Sequence, residues 1–122
     1  MVMKIIASKL PYLFDISIKE IRLIHQAINE VCYGLKVVDF NATIGSRAFA
    51  IKTLERLGRV YEENTKVRNS RINLILTPDD VQLFCNALAE VLKQIDDWEF
   101  DTRMGAERAM AVLLLNQLQA AS

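Results

Sequence analysis

Apolar residues recur every three or four positions over several long segments of the chain, which is the periodicity of amphipathic helices. The pattern predicts four main helices, at about 18–34, 47–62, 78–95 and 106–118. Short runs rich in aliphatic residues predict strands, at 3–7, 12–16 and 72–76. The expected fold is therefore mainly α, with a small two- or three-stranded β-sheet.

Two of these helices begin with capping signals. Ser17 is followed three residues later by Glu20, the spacing of a capping box. Thr77 precedes Pro78 and Asp80, which combines an N-cap, a proline at the first helical position and a carboxylate near the positive end of the helix dipole. The second of these is the clearest helix start in the chain.

The chain carries an internal repeat. A shift of sixty residues places Ser17–Gly45 on Thr77–Gly105 without a gap, and one extra residue after Gly105 then places Arg47 on Arg108. The coincidence of caps, apolar stripes and turns predicts a strand–helix–elbow–helix unit used twice and packed about a pseudo-two-fold axis. The expected single domain, 1–122, divides into repeat 1 at about 12–62, a polar connector at 63–71 and repeat 2 at about 72–120.

The two elbows share one pattern, in Asp39–Gly45 and in Glu99–Gly105. Phe40 and Phe100 are expected to anchor the connections in the core, and the closing glycines to supply positive φ or a close backbone approach. These shared residues are best explained by a role in the fold.

Matched ion pairs are expected between the two helices of each unit. Glu30 would pair with Arg47, and Glu90 with Arg108, because each glutamate and each arginine recurs in the repeat.

Composition narrows the functional classes. The 122 residues carry no formal net charge, so a global field that would attract nucleic acid or an anionic membrane is absent. Cys32 and Cys85 lie far apart in helical segments, which favours buried thiols over a disulfide. The sequence contains neither a signal peptide nor a membrane-spanning run, and the expected compartment is the cytoplasm.

Catalytic and metal-binding motifs are also missing. The single histidine, His25, lies mid-helix and aligns with Cys85, which favours a packing role. The acidic run from Asp97 lacks the glycine and glutamate of a calcium loop. We therefore expect no enzyme activity, no metal and no cofactor. An enzyme of unrecognised type would need a cleft where Glu30, Glu90, His25 or the arginines converge.

The second elbow contains more charge than a repeated fold needs. Four carboxylates surround the only tryptophan, whereas the matching segment Lys36–Asn41 is not acidic. A tryptophan rimmed by carboxylates is typical of a hot spot that faces a basic partner. The candidate partner-binding residues are Asp96, Asp97, Trp98, Glu99, Asp101 and Arg103. The alternative is a solvated acidic turn with Trp98 packed inward.

The last helix carries seven consecutive apolar residues, Ala109–Leu115. They cannot all face one core, so either the helix is buried on all sides or its outer face meets another chain. This pattern suggests a homodimer formed through 109–118.

Several strings resemble patterns in small bacterial two-repeat proteins that are mostly uncharacterised. They are Ala27–Gly34, Phe40 with Thr43–Gly45, and Phe100–Gly105. In size and general profile, the chain also resembles bacterial immunity proteins that neutralise toxins. That resemblance implies a non-enzymatic inhibitor that covers the basic active surface of a nuclease-type toxin, and it transfers no individual residue. The alternative is a homo-oligomeric structural or regulatory module without a toxin partner.

Overall fold

The computed structural model describes residues 4–7, 12–66 and 71–121, and the chain is mainly helical. Its strands are β1 (Lys4–Ala7), β2 (Tyr12–Ser17) and β3 (Arg71–Leu76). Its helices are α1 (Ile18–Asn29), α2 (Phe40–Thr43), α3 (Arg47–Lys66), α4 (Pro78–Gln94), α5 (Asp97–Met104) and α6 (Arg108–Ala121). A π-helical turn, Glu30–Gly34, continues α1 and is called the π-turn below. The four main helices and the small sheet agree with the sequence prediction.

The described strands form one antiparallel sheet in the order β1–β2–β3. In the β2–β3 pair, Phe14 lies opposite Leu74. Phe14, Ile16 and Leu76 are fully buried, whereas Ile75 on the other face is exposed. The alternation of buried and exposed positions is that of a sheet covered by helices on one face.

Both predicted capping boxes are present. The hydroxyl of Ser17 accepts from the N–H of Glu20 at 3.1 Å, and the Glu20 carboxylate accepts from the N–H of Ser17 at 2.8 Å. Thr77 and Asp80 repeat the arrangement at 3.1 and 2.9 Å. The carboxylates of both boxes are buried, and their backbone hydrogen bonds replace those to water.

The core lies between the long helices and the covered face of the sheet. Helix α1 packs on α3 and α4 packs on α6, while α1 and α4 pack on each other. Three phenylalanines from different elements, Phe14, Phe84 and Phe100, are fully buried there. The order strand, long helix, short helix, long helix occurs twice along the chain.

Both elbows are short helices rather than open turns. Helix α2 begins after Asp39, whose left-handed backbone (φ 52°) is allowed for aspartate and whose side chain accepts from the N–H of Ala42 at 3.3 Å. The closing glycines Gly45 and Gly105 adopt positive φ, 122° and 69°, as predicted. A side chain would be strained at both sites.

The predicted Glu30–Arg47 and Glu90–Arg108 ion pairs are wrong. Arg47 instead donates to the carbonyl of Cys32 at 2.9 Å, and Arg108 donates to the carbonyls of Leu92 and Ile95. The last carbonyls of a helix lack intrahelical partners, so an arginine from the next helix satisfies them. Each guanidinium also lies over the phenylalanine of its elbow, 4.1 Å from the Phe40 ring centroid and 5.5 Å from that of Phe100.

The polar connector predicted for 63–71 is shorter in the structure. Helix α3 continues to Lys66, and β3 already begins at Arg71; residues 67–70 lie outside the described part. In its last turns Asn64 and Thr65 donate to the carbonyls of Val60 and Tyr61, at 2.8 and 2.7 Å.

The two elbow phenylalanines should differ in their effect on stability. Phe100 is fully buried, while Phe40 is only partly buried beneath Arg47. We expect Phe100→Ala to lower the free energy of unfolding by about 3–5 kcal/mol, the usual cost of deleting a buried aromatic ring. Phe40→Ala should cost clearly less. Urea unfolding followed by circular dichroism measures both, and equal losses would contradict this account of the elbows.

Candidate interaction surface

Trp98 lies at the start of α5 and is 81 % exposed. The helix buries Phe100 and Met104 instead, and these two side chains attach it to the core. The alternative that Trp98 packs inward is therefore wrong. A large aromatic side chain that the core does not use is a feature of protein-binding surfaces.

Carboxylates surround this tryptophan. Asp96, Asp97 and Asp101 are exposed, and Glu99 is partly so. Asp96 occupies the N-cap position of α5, yet its side chain makes no capping bond. Neither Asp96 nor Asp101 forms an ion pair within the described residues, whereas Asp97 pairs with Nε of Arg108 at 3.1 Å. The helix dipole favours negative charge at this end of α5, so the carboxylates are tolerated without strain.

Arg103 faces inward, towards the first half of the chain. Its Nη2 donates to Oε1 of Glu30 at 2.7 Å, and its Nη1 lies 3.4 Å from Oε1 of Glu99. The Glu30 side chain is only 9 % exposed and that of Arg103 29 %. The hydrogen bond to Glu30 raises the pKa of Arg103, because it stabilises the charged guanidinium. Arg103 thus lies on the same short helix as the other candidate residues, and its side chain connects α5 to the π-turn.

The π-turn receives this arginine. The N–H of Leu35 donates to the carbonyl of Glu30 at 2.6 Å, which closes the wide turn. A Cβ on Gly34 would collide with Oε1 of Glu30 and lie 3.3 Å from Nη2 of Arg103, so a larger residue would force the Glu30 carboxylate to move from its present position. The matching end of α4 is regular, with Ile95 donating to Val91. The π-turn therefore ends α1 in a way that the end of α4 does not share.

Sequence reasoning did not place Glu30, Tyr33 and Gly34 at this surface. Tyr33 lies in the π-turn and is 65 % exposed. A periodic stripe does not distinguish a π-turn from an α-helix over so short a segment. The available signal was Glu30, a charged residue at a position that the stripe predicts to be half-buried.

Helix α6 exposes part of its apolar run. Val112 and Leu113 are 42 % and 50 % exposed, while Ala111 and Leu114 face the core. Burial on all sides, the first of the two predicted arrangements, is therefore wrong for the chain by itself. The exposed pair leaves an apolar strip on the outer face of the helix.

The groups named above for an unrecognised enzyme do not share one cleft: His25 lines a cavity with Arg22, Tyr61 and Glu62, and neither Glu30 nor Glu90 lines it. Glu30 binds Arg103, Glu90 accepts from Gln94, and His25 packs against Gly58 of α3. Burial lowers the pKa of His25 and raises that of Cys85 to about 11, so both are uncharged near neutral pH. Within the described residues, no three His, Cys, Asp or Glu side chains are grouped to hold a metal ion.

Comparison with known proteins does not assign this chain to a family. No family model matches the chain, and no similar curated protein or solved structure was found. Across residues 4–7, 12–66 and 71–121, none of the helices has both the length and the apolar character needed to cross a membrane.

Removing Arg103 should destabilise the fold through the charge left on Glu30. We expect Arg103→Leu to cost about 2–3 kcal/mol, less than breaking a fully buried pair because the guanidinium is partly solvated. Adding Glu30→Gln should restore part of the loss, since a neutral amide is cheaper to leave unpaired. Thermal and urea unfolding of the four proteins in this cycle give the coupling energy. Strict additivity of the two changes would contradict the coupling.

Proposed function

We propose that this chain is a non-enzymatic protein-binding protein of the bacterial cytoplasm. Its most concrete form is an immunity protein that neutralises a nuclease-type toxin by covering the basic active surface of that toxin. The residues that bind the partner are Trp98 and the surrounding carboxylates Asp96, Asp97, Glu99 and Asp101. In this proposal Arg103 positions α5, and its side chain makes no direct contact with the partner.

The exposure of Trp98 is the observation that carries this proposal. An exposed indole keeps its apolar surface in contact with water until a partner covers it. Tryptophan is also the residue most enriched in binding hot spots. The carboxylates of Asp96 and Asp101, which have no ion pair among the described residues, add charge that complements a basic surface. Nucleases bind phosphate backbones through lysine and arginine, so their active surfaces have that basic character.

Duplication of the strand–helix–elbow–helix unit belongs to the same proposal. Phe14 and Leu74 are sixty residues apart and face each other in the sheet, as residues beside a two-fold axis would. The contacts of Arg47 with Cys32 and of Arg108 with Leu92 join aligned residues. These correspondences support a common frame, on which the acidic Trp98 elbow is an addition to one copy.

Titration against the purified product of the adjacent gene tests the proposal. By calorimetry, we expect the Trp98→Ala, Asp101→Lys double variant to bind at least about 30-fold more weakly, the effect of losing a hot-spot residue and a complementary charge. The native fold should persist, because both side chains project into solvent.

The matched control is the Ile75→Ala, Glu63→Lys double variant. It removes an exposed apolar side chain and reverses an exposed acid elsewhere on the molecule. Unchanged affinity in this control, together with a large loss in the Trp98 variant, supports the proposed surface. Equal affinity of all three proteins for the toxin would exclude it.

The second candidate function is a homo-oligomeric structural or regulatory module. It is favoured by the exposed Val112 and Leu113 on α6, whose burial in a dimer would remove an apolar strip from water. In this case the chain needs no toxin partner.

Sedimentation separates the two functions. If α6 forms a dimer, the protein should sediment as a dimer at micromolar concentration, and Leu113→Glu should convert it to a monomer by placing a charge in the interface. Gln119→Glu, an exposed change near the end of the same helix, is the control for added charge. A strict monomer at these concentrations would eliminate this second candidate.

A further inference from the structure

We infer that the partner-binding surface extends onto the π-turn, where Tyr33 and Trp98 together receive arginine side chains of the partner. This inference rests on the proposed function and names the chemistry by which the partner is recognised. It adds a residue from the first half of the chain to a surface otherwise confined to the second.

The guanidinium of Arg103 joins the two segments that carry these aromatic residues. It lies 2.7 Å from Oε1 of Glu30 and 3.4 Å from Oε1 of Glu99. Tyr33 precedes Gly34, whose Cβ position would be 3.3 Å from Nη2 of the same guanidinium, and Trp98 precedes Glu99. Each aromatic residue is therefore the chain neighbour of a residue at the guanidinium.

A second contact joins the same two regions. The side chain of Gln94, at the end of α4, donates to the carbonyl of Lys36 at 3.2 Å. Lys36 follows the π-turn and Gln94 precedes α5. The segments that carry Tyr33 and Trp98 are therefore linked by two contacts, this one and the Arg103–Glu30 pair. The two contacts hold these segments together at the C-terminal ends of α1 and α4, the end of the molecule considered below.

Neither aromatic side chain is required by the repeated frame. Tyr33 aligns with Lys93, and Trp98 aligns with Val38. Both are mostly solvent-exposed, at 65 % and 81 %. The π-turn that carries Tyr33 is also absent from the matching end of α4. Three departures from the repeat thus occur at this end, which points to binding more than to folding.

The chemistry of this end fits arginine better than lysine. A guanidinium stacks on an aromatic face and pairs with a carboxylate in the same plane, and it is more weakly hydrated than an ammonium. Tyr33 and Trp98 offer two aromatic faces, and Asp96 and Asp101 offer carboxylates without an ion pair among the described residues. An arginine-rich protein surface is therefore the partner that this end fits.

Octa-arginine and octa-lysine peptides test the inference on the intact chain. Trp98 is the only tryptophan, so its fluorescence reports binding at the proposed surface directly. At low salt, we expect octa-arginine to bind more tightly than octa-lysine. Tyr33→Ala should weaken octa-arginine binding about three- to fivefold, the size of one exposed cation–π contact, whereas Tyr33→Phe should retain affinity.

Ile75→Ala, which truncates an exposed apolar residue of β3, is the control and should bind like the unchanged chain. Equal affinity for the two peptides, no change of Trp98 fluorescence with either, or no effect of Tyr33→Ala would each overturn the inference. The peptide experiment tests only this inference. The proposed function is tested by the toxin titration with the Trp98 and Asp101 changes, so the two can fail independently.

Discussion

The ion pair between Arg103 and Glu30 is the interaction on which the rest of the candidate surface depends. Helix α5 is only eight residues long, and isolated helices of that length are unstable in water. Its buried Phe100 and Met104 attach one face to the core, and Arg103 attaches a second face to the π-turn. With two faces fixed, the third, which carries Trp98, is presented to solvent in a defined orientation.

The same ion pair lies at the local irregularity of the first half, the π-turn. Glu30 is largely removed from water, so its charge needs a partner with good hydrogen-bond geometry. Arg103 supplies that partner, and Gln26 donates to the other carboxylate oxygen at 3.3 Å. Gly34 leaves the space that the carboxylate fills. A buried charge, a glycine and a π-turn thus form one arrangement, present at the end of α1 and replaced at the end of α4 by a regular helical turn.

Most of the frame could be predicted from the sequence, because local rules determine it. Capping boxes at Ser17 and Thr77 and the apolar stripes after them fixed the starts and faces of α1 and α4. The wrong ion pairs show the limit of such rules. Repetition suggested carboxylate partners for Arg47 and Arg108, but a sequence does not reveal that helix-end carbonyls compete with carboxylates for an arginine. The Arg103–Glu30 contact spans 73 positions, and no local pattern connects its two ends.

The orientation of Trp98 follows from helical geometry once α5 is recognised as a helix. Residues two positions apart are about 200° apart around the axis, so a short helix that buries Phe100 must turn Trp98 away from the core. Phe100 is fully buried in the core, so Trp98 is the one of the two that faces solvent. Burying Trp98 instead would expose Phe100 and separate Arg103 from Glu30. The exposed tryptophan therefore follows from the way α5 packs on the core, and the acidic residues beside it are the part of the elbow that this packing does not use.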